Sequence, residues 1–112
     1  MKRYDLVDIT YAANHDMSLF CTDQETLAWM TAEIHRLRPK ATLEPRSSLL
    51  VILHPERSFV SGLIDPMPLV MTLLEELCHR GWEPIATEPW WPGRWNSTCR
   101  WTLKYTHELS AP

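Results

Sequence analysis

Hydrophobic and polar positions recur with two different periods along this chain, and the places where the period changes mark out its elements. Towards the C-terminus Cys99, Trp101, Leu103 and Tyr105 alternate with Arg100, Thr102, Lys104 and Thr106. That two-residue period predicts a strand with one face on a core and one in water. At the other end Val7, Ile9 and Tyr11 alternate with Asp8 and Thr10, so residues 4–11 predict a first strand, with Asp5 and Asp8 expected on an acidic water face. An Asn-His-Asp turn follows, and Met17–Cys21 reads as a short return strand. The run Leu49-Leu50-Val51-Ile52-Leu53 is apolar at every position and β-branched, which predicts a strand buried on both faces at the centre of a sheet.

Between these segments the period lengthens to that of a helix. Leu27, Met30, Ile34 and Leu37 form one inner stripe, with Ala28 beside it. Met67, Val70, Leu74, Leu77 and Cys78 form a second, widened by Met71 and Leu73, with Glu75, Glu76, His79 and Arg80 turned outward.

The helix ends carry their own chemistry. Thr22, three residues before Glu25, predicts a capping box, with Asp23 adding negative charge to the first turn. Pro39 drives Arg38 out of the helical region and ends that helix. Asp65-Pro66 predicts the start of the second helix. Arg80-Gly81-Trp82 predicts its stop: Gly81 takes the left-handed position of a Schellman motif, and Trp82 packs back towards Leu77.

The remaining segments read as connections and edges. Residues 40–46, with Pro45, predict a polar connection, and residues 58–64, after the turn chemistry of His54-Pro55-Glu56-Arg57, predict a return strand weakened by Gly62. Residues 82–88 should pair antiparallel with the last strand, and Pro84, lacking an N–H, places them at an edge or a bulge.

Together these elements predict an α+β fold: two helices on one face of a mainly antiparallel sheet of four to six strands. The rhythm of strand, return strand and capped helix occurs twice, which is consistent with duplicated ββα units closed by a C-terminal hairpin. A chain of 112 residues, 45% apolar, suffices for a single domain over residues 1–112 with one core.

The stretch Leu73-Leu74-x-x-Leu77-x-x-x-Gly81-Trp82-Glu83, followed by a strand, a loop and a final strand ending in Lys104-Tyr105, resembles a small bacterial family of unknown function. Its members place a leucine-rich helix before a Gly-Trp-Glu stop and two strands after it. The likeness spans roughly residues 48–106. This chain departs from the pattern in Pro84, in a longer tryptophan-rich loop and in an N-terminal half outside the match. The family has no established catalytic residues, so the resemblance implies a fold and leaves function open.

Composition narrows the chemistry. A formal charge of −3 gives no global field for nucleic acid, and no apolar run approaches the roughly 18 residues that span a bilayer. Met1-Lys2-Arg3 leads into an alternating segment with no signal-peptide core, so the expected location is the cytoplasm and no membrane partner is expected. Cys21, Cys78 and Cys99 are odd in number and lie in apolar pattern, as buried core thiols would. The five histidines have no metal-ligand spacing, and the three glycines form no phosphate loop. Accordingly no metal, cofactor or catalytic residue is expected.

The unusual segment is Pro89-Trp90-Trp91-Pro92-Gly93-Arg94-Trp95-Asn96-Ser97-Thr98. Three indoles in a turn-forming loop are costly to leave in water, so they cover or bind something. Arg94, Arg100 and Lys104 stand between residues 89 and 106 with no acidic residue, a local charge of +3. The expected binding residues are therefore Trp90, Trp91, Arg94, Trp95 and Arg100. The expected role is a non-catalytic binding or assembly module using residues 89–101 for self-association or a protein partner, since Trp and Arg are enriched at such contacts. One alternative is a small enzyme or ligand-binding protein with a pocket between sheet and loop, walled by His54, His79 or Glu88. Another is a single-stranded nucleic-acid binder, in which indoles stack bases and arginines hold phosphates.

Overall fold

The computed structural model describes residues 2–12, 16–54, 57–58, 62–63, 67–88 and 98–108. In chain order the elements are β1 (Lys2–Ala12), β2 (Met17–Cys21), α1 (Gln24–Leu37), β3 (Thr42–Pro45), β4 (Leu50–His54), β5 (Arg57–Ser58), β6 (Gly62–Leu63), α2 (Met67–His79), β7 (Glu83–Glu88) and β8 (Thr98–Glu108). Six strands form one sheet in the order β3-β4-β2-β1-β8-β7, antiparallel at every junction, and both helices pack against it, giving the expected α+β class. The two alternating segments at the chain ends lie side by side in this sheet, β1 at its centre and β8 one place in from the edge. β1 and β8 pair along their whole length, from Lys2 opposite Glu108 to Ala12 opposite Thr98.

Alternation then decides what is buried. Val7, Ile9, Met17, Leu19, Cys21, Val51, Leu53 and Leu103 point to the helices and are almost completely buried, together with Leu27, Met30 and Ile34 of α1 and Leu69, Val70, Leu73 and Leu77 of α2. Their opposite-parity neighbours Ser18, Phe20, Leu50 and Ile52 are only half-buried. The apolar run at β4 is thus covered on one face, because both helices lie on the same side. β4 is also one place in from the edge, and β1 and β2 hold the centre that the sequence assigned to it.

The partner of β4 precedes it instead of following it. Residues 42–45, expected as a polar connection, form edge strand β3 against β4, and the chain reverses where Arg46 and Ser47 both donate to the Leu50 carbonyl. Pro45 closes this edge strand, a place where a missing donor is tolerated. Of the return strand expected over 58–64, Ser58 (with Arg57) and residues 62–63 are described and pair with each other as the β5–β6 ladder, separate from the main sheet, while 59–61 and 64 lie outside the described residues. The twofold rhythm of hairpin and helix is present with different strands: β1-β2-α1, then β3-β4 ahead of α2, then the closing hairpin β7-β8.

The first helix starts one residue later than a capping box at Thr22 would have it. Thr22 donates its N–H to the Leu6 carbonyl (3.0 Å), accepts from the Leu6 N–H (2.8 Å) and donates its hydroxyl to Asp5 (2.8 Å). Having spent its polar groups on β1, it leaves the cap to Asp23, whose carboxylate accepts from Thr26. Arg38 terminates α1 as expected, donating to Ile34.

The start of α2 at Asp65-Pro66 lies outside the described residues. Its buried arc is Leu69, Val70, Leu73 and Leu77, with Leu74 at the margin. Successive helical residues are about 100° apart. Cys78 therefore falls off this arc and is exposed, as is Met71 at 57%. The Schellman stop forms in full: Trp82 N–H to Leu77 carbonyl, Gly81 N–H to Cys78 carbonyl, and Gly81 at φ 98°. Trp82 joins the core. β7 is an edge strand with a register shift between Pro84 and Ala86, the bulge that proline called for.

Candidate functional site

Four of the five expected binding residues, Trp90, Trp91, Arg94 and Trp95, lie outside the described residues. The fifth, Arg100, is on β8 two positions past Thr98, on the face turned away from the helices. Its guanidinium grips Asp8 of β1 in a two-pronged contact, Nε to Oδ1 at 3.0 Å and to Oδ2 at 2.9 Å, with Nη2 on Oδ2 as well. Half of the Arg100 side chain is exposed (49%) against 18% for Asp8. Further along the same face Lys104 lies 5.5 Å from the centre of the Tyr4 ring, and Leu6 is 38% exposed.

Of the residues expected to wall a pocket between sheet and loop, His54 and His79 are described, and the loop itself lies outside the described residues. His54, also on the open face, sits between two carboxylates at one end of the sheet: Nδ1 to Asp16 at 2.8 Å and Nε2 to Glu44 at 2.9 Å. Its pKa is raised, first by the hydrogen bond to Glu44 and then by that to Asp16, because both ring nitrogens donate only in the imidazolium. His79 is exposed at the end of α2. Neither histidine lines the two cavities described below.

One of those cavities is polar and gathers residues that sequence reasoning missed. At about 240 Å³, it is lined by Asp5, Asp23, Thr26, Arg80, Trp82, Tyr105 and His107. Three pieces of the fold meet there. The floor is β1 and β8, whose helix-facing parity continues outward past Val7 to Asp5 and past Leu103 to Tyr105 and His107. One wall is the N-terminus of α1, with Asp23 and Thr26, and the other is the glycine stop of α2, with Arg80 and Trp82.

Within this pocket Asp5 and His107 form a pair, Oδ2 to Nε2 at 2.6 Å, and the other Asp5 oxygen accepts from Thr22. Burial works to raise the Asp5 pKa. The hydrogen bonds from Thr22 and His107, aided by the charges of His107 and Arg3, together outweigh it and hold the carboxyl below its ordinary range. The aromatic side is continuous: Tyr105 lies 5.6 Å from Trp82 and 4.8 Å from His107, centre to centre. Arg80 stacks over Trp29 at 4.1 Å. A Cβ at Gly81 would come within 3.1 Å of the Tyr105 ring, so the glycine stop also sets how closely α2 approaches this floor.

Asp5 was expected on the water face of β1. Its parity is that of Val7 and Ile9, two and four residues on, and it faces the helices just past the core's edge. The same count carried His107 inward from Tyr105, so both signals were present in the alternation. The convergence of Asp23 and Arg80 had no local signal, since 57 residues separate them.

The second cavity, about 400 Å³, is a groove between α1 and the β3–β4 edge, lined by Leu27, Ala28, Leu43 and Val51 among others, with no ionisable side chain. Of the cysteines, Cys21 and Cys99 are buried, and burial pushes the Cys21 thiol up to about 11. Among the described residues no three His, Cys, Asp or Glu side chains converge to hold a metal ion, and no helix is long and apolar enough to cross a membrane. No family model matches the chain, and no curated protein is significantly similar to it.

Proposed function

We propose that the protein is a non-catalytic assembly module that meets a second copy of itself through residues 89–101 and the adjoining open face of the sheet. The observation that carries this reading is the one-sided sheet. With both helices on one face, the other keeps Leu6 exposed and Phe20, Leu50 and Ile52 half-buried. This face runs up β8 to Arg100, beside the tryptophan-rich connection from β7. Exposed apolar surface is what a protein contact buries, and Trp and Arg, which the sequence concentrates at 90–100, are favoured at such contacts.

The pairing of Arg100 with Asp8 supports a protein contact over nucleic acid. A matched guanidinium on a face it shares with a carboxylate has lost much of its pull on phosphate. A pocket enzyme walled by His54, His79 or Glu88 is favoured less, since both ring nitrogens of His54 are already engaged by carboxylates. The same reading keeps kinship with the small bacterial family as a proposal, carried by the leucine-rich α2, its Gly81-Trp82 stop and the β7–β8 pair. It also places the protein in the cytoplasm, where the free thiols of Cys21, Cys78 and Cys99 stay reduced.

Light scattering over a concentration series tests the module. The expected result is a mass that rises towards a dimer in the wild type and stays monomeric in Trp90→Ala/Trp91→Ala. A wild type that remains monomeric throughout, with red-shifted and quenchable tryptophan fluorescence, overturns it. Salt-sensitive retention on single-stranded oligonucleotides that Arg94→Glu abolishes would favour the nucleic-acid alternative instead.

A further inference from the structure

The polar pocket lies at the opposite end of β8 from Thr98. Thr98 and His107 are nine residues apart on that strand, about 30 Å at the rise of an extended chain. The pocket also opens on the helix-bearing side of the sheet, whereas the proposed assembly surface includes the opposite face.

The groups lining it divide into those already satisfied and those still able to bind. Asp5 has one oxygen on Thr22 and the other on His107, so it orients the imidazole and has little left for a ligand. Asp23 is used on one side only: Oδ2 takes both the N–H and the hydroxyl of Thr26, and Oδ1 takes no hydrogen bond from a described residue. Arg80 is held by its face over the Trp29 ring and feels the charge of Glu33, yet makes no ion pair within 4 Å among the described residues, which leaves its in-plane N–H groups as donors. The pocket thus offers a negatively charged acceptor, Asp23 Oδ1, on one wall and a positively charged donor, Arg80, on the other, with Trp82 beside Arg80 and Tyr105 on the floor as apolar surface.

A ligand of one sign would satisfy one wall and be repelled by the other, whereas a ligand carrying both signs pairs with each. The volume of about 240 Å³ is below the roughly 300–1,000 Å³ of sites for drug-sized molecules, so the occupant is small. We propose that this pocket binds a free amino acid or closely similar zwitterion, its ammonium on the Asp23 carboxylate, its carboxylate on the Arg80 guanidinium, and its side chain against Tyr105 and Trp82. A metal ion is a poorer fit, since the carboxylates here are separately engaged and no three ligating side chains converge.

Calorimetric titration of the full chain with the proteinogenic L-amino acids tests this, repeated for any binder with its decarboxylated amine and its deaminated acid. At least one amino acid should bind with a Kd of about 1 mM or tighter, and each single-charge counterpart at least about tenfold more weakly. Asp23→Asn keeps a good helix cap and Arg80→Met keeps an apolar stem on Trp29, so both should retain the wild-type circular dichroism. Each should weaken binding about tenfold or more.

Three results overturn the proposal: no amino acid binds at about 10 mM, an amine or acid counterpart binds as tightly as its parent, or Asp23→Asn and Arg80→Met both bind like wild type. Trp90→Ala/Trp91→Ala should bind the amino acid normally, so a failure of assembly and a failure of this pocket are read separately.

Discussion

Two single residues in this protein do more than their side-chain size implies. Gly81 takes φ 98°, ends α2, and lets that end of the helix approach the Tyr105 ring to a distance a Cβ would contest at 3.1 Å. Both constraints act in the same direction against any larger residue. Gly81→Val should cost about 1 kcal/mol for the backbone alone, and more for the displaced ring. Urea unfolding measures this, and a midpoint equal to wild type would mean that the stop tolerates a side chain.

His54 carries the other residue-scale argument. Its folded pKa is raised above the ordinary 6.5, because Glu44 and Asp16 accept from its two ring nitrogens. A group whose pKa rises on folding contributes stability that is fully present below its unfolded pKa and fades as pH rises through the folded one. Stability should therefore fall from slightly acid conditions into the neutral and mildly alkaline range, and His54→Gln should remove that part of the slope. Unfolding midpoints measured across this window check it. Asp5 and Glu44 act with the opposite sign: their lowered pKa values add stability that is lost as pH falls through the acid range.

At the scale of elements, competition for hydrogen bonds decided where α1 begins. Thr22 and Glu25 have the spacing of a capping box, yet the Thr22 N–H and hydroxyl are both committed to β1. Glu25 has no cap donor to reach back for, and Asp23 takes the role. Asp23→Ala should destabilise the protein by about 1 kcal/mol and Glu25→Ala by a few tenths at most. Equal losses would restore the box. The same competition explains β3. Residues 42–45 have weak strand character by themselves, and they become a strand because β4 presents an unpaired edge to them.

Over the whole molecule, the sheet order separates two regions of different character. The order β3-β4-β2-β1-β8-β7 puts the long strands β1 and β8 side by side. One end of that pair carries the connection with the indoles, and the other carries the Asp5–His107 pocket. Because both helices lie on one side, that side holds the core and pocket, and the opposite side carries no helix among the described residues.

What the sequence determined by itself was everything set by near neighbours. The alternation of Cys99, Trp101, Leu103 and Tyr105, the stripe of Leu27, Met30 and Ile34, the Gly81 stop and the edge position forced by Pro84 all follow from periods and backbone limits that a few residues express. The tertiary structure alone decided which strands lie side by side, that β4 is covered on one face, that Cys78 and Met71 turn outward, and that Asp23, Arg80 and Tyr105 line one pocket. These depend on which surfaces compete for burial and for unpaired hydrogen-bonding groups. That competition is settled between segments far apart in the chain, where no local pattern records its outcome.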